Sequence, residues 1–144
     1  MTSNELTTRR VAAVALALVG VIHLVLSPEY LSDETYIGVL FVAGGAASLA
    51  VAARLWFGSD GFAWALGAIV AAGMFVGFVL SRTTGLPGFK ESEWELSGIV
   101  SLILEAVFIG AALRVGRPTA ARERERGRAR PARARSAVRS FDYS

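Results

Sequence analysis

The chain predicts an all-α polytopic membrane protein: an antiparallel up-down bundle of four transmembrane helices with a disordered basic C-terminal tail. Three observations predict it. Hydrophobic residues make up 53% of the 144 residues and charged residues only 19%, with a mean hydropathy of +0.49. The charges are segregated, because four long stretches are nearly free of them while residues 114–144 hold ten arginines and three acids. Each of the four stretches matches the ~20 mainly apolar residues (range about 17–25) that a bilayer-crossing helix requires.

The first span is 11–27, VAAVALALVGVIHLVLS, preceded by a short N-terminal segment, 1–10. Arg9 and Arg10 stand before it as in a signal peptide. No small-x-small cleavage site follows, so the segment reads as a retained helix. The second span is 36–57, the third 62–81 and the fourth 96–113. Inside lipid every backbone amide must be paired within the segment, which makes each run a helix. The joining segments are short, including 28–35 between the first two spans and 82–95 between the last two. Short joints place consecutive helices antiparallel.

Four spans bring both ends of the chain to one side of the membrane. That side collects Arg9, Arg10, Arg54, Arg114 and Arg117, whereas the opposite loops carry Glu29, Asp33, Glu34, Glu91, Glu93 and Glu95 against Arg82 and Lys90. Basic residues stay on the cytoplasmic face. The expected location is therefore the plasma membrane, multi-pass, with both termini in the cytoplasm. The tail 114–144 is low in complexity and reads as a solvated cytoplasmic extension. Its arginines would each gain about 1 kcal/mol near anionic lipid. No aromatic residue interleaves with them before Phe141. Bases have no stacking platform, so nucleic acid is not an expected partner.

Helices associate in lipid through small residues that let backbones approach. Gly44 on the second span, and Gly73 and Gly77 on the third, are the expected packing positions. The glycine face formed by Gly73 and Gly77 is the alternative site for a homodimer or for docking into a larger membrane complex.

The absence of cysteine excludes disulfides, zinc-thiolate and iron–sulfur sites and thiol nucleophiles within the chain, and the single histidine, His23, excludes two-histidine haem ligation by one protomer. No nucleophile–base pair and no phosphate-cradling loop is evident, and no cofactor is expected. What remains is a small set of polar residues inside apolar segments. Ser97, Ser101 and Glu105 are spaced by four and share one stripe of the fourth span. Glu105 falls roughly 13 Å below Leu96, near the middle of a ~30 Å hydrocarbon core. An acid there costs about 2.5–3.5 kcal/mol on insertion scales and must face the bundle interior. On the first span His23 and Ser27 are also four apart, one to two turns shallower than Glu105. His23, Ser27, Ser101 and Glu105 are therefore the pocket candidates, with structural hydrogen bonding as the bland reading of each.

At the outer ends, Glu29, Arg82, Glu93, Trp94 and Glu95 are the loop candidates. Arg82 is expected to pair with Glu29, Glu93 or Glu95 and to tie the loop across a polar funnel. The same acids with His23 offer oxygen and nitrogen to a divalent cation, but their spacing matches no metal motif, so no metal site is assigned. Glu93 and Glu95 also complement a helix N-terminus, and Trp94 suits the membrane interface.

HLVLSPEYL, YIGVLFVAGGAASL, GFVLSRTTGLPGF and EWELSGIVSLILEAVF together resemble a set of small four-span membrane proteins of actinobacteria and similar microbes. The resemblance covers about 19–108 and implies the fold but no activity. In layout the chain is also similar to DoxX-like four-helix membrane proteins. The function expected from the residues is a small-ligand or lipid-binding component, or an accessory subunit, with an outward-facing polar pocket. The alternative is a redox or proton-handling component using Glu105 and His23 beside a quinone-like ligand.

Overall fold

The computed structural model describes residues 3–58 and 61–116. Four helices follow one another: α1 (Ser3–Asp33), α2 (Thr35–Phe57), α3 (Gly61–Arg82) and α4 (Leu96–Gly116). All four are long and apolar enough to cross a membrane. The protein is a multi-pass helical bundle whose outer surface, with Val25, Val39 and Ile103 well exposed, meets lipid. Arg117 and the arginines beyond it, and with them the expected disordered tail, lie outside the described residues.

α1 departs from expectation at both ends. It reaches back to Ser3 and forward to Asp33, with Pro28 inside it, so residues 28–33 are helix rather than loop. The reason is local. Proline lacks an N–H, which strips the carbonyl four residues earlier of its donor. That carbonyl belongs to Leu24, and the Ser27 hydroxyl donates to it at 2.8 Å. The neighbouring side chain supplies the bond that proline cannot. Thirty-one residues make a helix about 46 Å long, so α1 projects beyond the hydrocarbon core. A single extended residue, Glu34 (φ −142°, ψ 101°), turns the chain into α2. Its carbonyl accepts from the amides of Ile37 and Gly38 at 2.9 and 3.1 Å.

The closest backbone approach joins α1 to α2. A Cβ on Gly20 would stand 2.9 Å from the Gly45 carbonyl oxygen, and one on Gly45 would stand 2.8 Å from a Leu24 side-chain carbon. Neither position tolerates a larger residue without movement. α4 is joined to α3 through aromatic side chains seated on glycines: Phe78 on Gly98, and Phe108 on Gly67. Phe108 also stacks on Trp64 with ring centroids 5.8 Å apart.

The packing divides the bundle into two halves. The half nearer the chain ends has a filled interior, where Ala12, Ala13, Leu16, Val51, Leu55, Ala63, Trp64 and Phe108 form one continuous buried cluster, with an open groove between α1 and α2 beside it. The other half, toward the α3–α4 loop, is hollow.

Candidate functional site

The hollow half holds a partly open cavity of about 470 Å³ lined by all four helices and the α3–α4 loop. Most of its wall is apolar, including Ile22, Leu26, Leu40, Phe41, Ile69, Met74, Phe78 and Leu102. This corrects the expected polar funnel: the polar groups are few and concentrated. His23, Ser97, Ser101 and Glu105 all border the cavity, as do Arg82 and Glu95 near its mouth.

Interhelical contacts fix the depth of each group. Gly98 lies on Phe78 and Gly67 on Phe108, so counting between them brings Glu105 level with Val70 and Ala71 of α3. Gly44 lies against Met74, and Gly67 also against Val51, which sets Ala47 and Ser48 at the same level. The Gly20–Gly45 crossing completes it on α1 near Leu18. His23 and Ser101 lie one to one and a half turns, about 6–8 Å, nearer the mouth.

Glu105 is 2% exposed. The Ser101 hydroxyl donates to its Oε1 at 3.0 Å, while Oε2 has no partner among the described residues. The four-residue spacing that aligns Ser101 with Glu105 is what makes the bond. His23 is also buried. Its Nδ1 lies 3.0 Å from the Val19 carbonyl oxygen, and its ring is 4.8 Å from that of Phe41. A carbonyl only accepts, so Nδ1 carries the hydrogen and Nε2 of the neutral ring keeps its lone pair. At Glu105's level Ser48 is fully buried, and its hydroxyl too has no partner among the described residues.

Ser27, expected in the pocket, is buried but is spent on Leu24 and does not border the cavity. Gly44 packs against the Met74 sulfur. Gly73 and Gly77, expected to pack helices, have nothing within 4 Å of where a Cβ would stand. They line the cavity instead, and their small size gives it room.

The mouth is built by the loop. Leu86 and Phe89 exchange two main-chain hydrogen bonds of 2.7 and 2.9 Å around Pro87-Gly88. Gly88 sits at φ +70°, the pattern of a type II turn. The Tyr36 hydroxyl donates to the Pro87 carbonyl at 2.6 Å, and the Glu91 amide to the Ser81 carbonyl at 3.0 Å. Arg82 does tie the loop down, but not by the expected ion pair. Its Nε donates to the main-chain carbonyl of Glu93 at 3.2 Å and its Nη1 to the Ser81 hydroxyl at 2.8 Å, and its guanidinium lies 3.8 Å over the Phe78 ring. Glu29 and Glu93 are exposed, outside the cavity wall. Trp94 is exposed and meets Phe78 edge-on at 5.7 Å. Glu95 accepts from the Ser97 hydroxyl at 3.4 Å. No group of three or more His, Asp or Glu side chains among the described residues could hold a metal ion.

Sequence reasoning missed Tyr30 and Phe41, which stack at 4.2 Å and line the cavity. Tyr30 stands seven residues after His23, on the same helical face, a signal hidden while Pro28 was read as the end of the helix. No family model, curated protein or solved structure matches the chain.

Proposed function

We propose that this protein is a non-catalytic membrane component that holds a small amphiphile or lipid in its cavity, the loop end facing outward and both termini facing the cytoplasm. The observation that carries this reading is Glu105 Oε2. A carboxyl oxygen buried at mid-membrane depth without a hydrogen-bond partner is costly, and here it belongs to a residue of the cavity wall. The size falls within the roughly 300–1,000 Å³ usual for small-molecule pockets, and so does the character: an apolar wall with a few placed polar groups. The solid apolar cluster beneath supports a binding site rather than a conduit.

The test is native mass spectrometry of the protein released from mild detergent. A bound small molecule or lipid is expected on the wild type. It should be lost from the double variant Gly73→Leu, Gly77→Leu, whose new side chains fill the cavity while far-UV dichroism stays unchanged. The same adduct on both proteins would overturn the reading.

One observation favours a second reading. His23, whose Nδ1 is spent on Val19, borders the same cavity as Glu105, so the two could exchange protons with a quinone-like ligand. That role requires a quinone in organic extracts of the purified protein, and a quinone-free extract removes it.

A further inference from the structure

The chemistry of the cavity's inner wall goes beyond the presence of a ligand to its polar end. Three residues of that wall keep an unspent atom. Glu105 Oε2, itself covered, lacks a partner among the described residues. His23 has committed its Nδ1 hydrogen to Val19 and presents Nε2 as a lone pair. Ser101 has committed its hydroxyl hydrogen to Glu105 Oε1 and has only oxygen lone pairs left. With Glu105 ionised, all three are acceptors. Among the described residues, the other charged groups on the cavity wall, Arg82 and Glu95, border its mouth, and no cationic side chain borders its inner end.

From this we propose that the cavity selects amphiphiles with a protonated amine head, bound head-innermost against Glu105, His23 and Ser101, with the apolar body toward the mouth. The proposal rests on the cavity being a binding site. An ammonium brings several N–H donors and the one charge that lets a carboxylate persist out of water. A hydroxyl brings a single donor and no charge. A carboxylate or an oxidised quinone sets acceptors against acceptors. The aromatic ring of Phe41 beside His23 adds a face that attracts a cation.

The experiment titrates dodecylamine, dodecanol and dodecanoate at neutral pH into the full chain in zwitterionic lipid nanodiscs, read by tryptophan fluorescence. The amine is expected to bind at least tenfold more tightly than the alcohol, and the carboxylate most weakly. Glu105→Gln should bring the amine within about threefold of the alcohol. Should that variant fail to fold, His23→Phe keeps an aromatic ring beside Phe41 but removes Nε2, and it should cut the amine's preference over the alcohol by threefold or more. Alcohol or carboxylate binding as tight as the amine overturns the proposal but leaves the binding reading standing. So does a tenfold preference that survives both variants. Failure of all three probes to bind overturns both.

Discussion

At the scale of single residues, Ser27 shows how a side chain can change its assigned role once the backbone is known. Its place one helical turn beyond His23 suggests a pocket residue; its bond to Leu24 makes it the substitute donor for Pro28. Ser27→Ala should therefore destabilise the bundle by about 1 kcal/mol in thermal melts. In a Pro28→Ala background, where an amide reaches the same carbonyl, the loss should shrink toward zero, and a double-mutant cycle measures the difference. The glycines divide just as sharply. Gly67→Ala and Gly98→Ala would each drive a methyl into an aromatic ring and should lower stability by about 1–3 kcal/mol. Gly73→Ala and Gly77→Ala meet open space and should be neutral, or stabilising by up to about 1 kcal/mol, since alanine is the better helix former. Glu105, Ser101 and His23 were legible in the sequence because polar residues inside apolar runs are rare and the four-residue spacing is unambiguous. The glycine–aromatic seats were not, because they depend on the register between helices, which one sequence does not encode locally.

At the scale of elements, the four spans were legible from hydropathy and their ends were not. Hydropathy reports what enters lipid, whereas helix continues wherever backbone bonds can be made, and for α1 that means through SPEYLSD. The extension matters for the site: it places Tyr30 above His23 on one face and leaves only Glu34 to connect α1 with α2. The α3–α4 loop was legible as a turn from Leu-Pro-Gly, but its attachments to Tyr36 and Ser81 join distant parts of the chain. Gly88 holds a left-handed conformation that disfavours an L side chain by about 1–2 kcal/mol. Gly88→Val should loosen the loop with little effect on the helices. Hydrogen exchange should rise at the amides of Phe89 and Glu91 and stay unchanged across the cluster around Leu16 and Leu55.

At the scale of the whole molecule, the bundle is asymmetric: one half is filled and the other is hollow, with Glu105 at the boundary. Large aromatics (Trp64, Phe108) fill the first half. In the second, glycines at 44, 73 and 77 withdraw volume from the walls, and the loop closes over the top. Composition could not reveal this, since both halves are equally apolar. The chain contains no cysteine, so single cysteines report without background. The most direct measurement compares the labelling rates of Ser101→Cys and Leu16→Cys by a small methanethiosulfonate reagent in membranes. Ser101→Cys, on the cavity wall, should react at least tenfold faster than Leu16→Cys, inside the solid half. Equal rates at the two positions would contradict the division of the bundle, and with it the cavity.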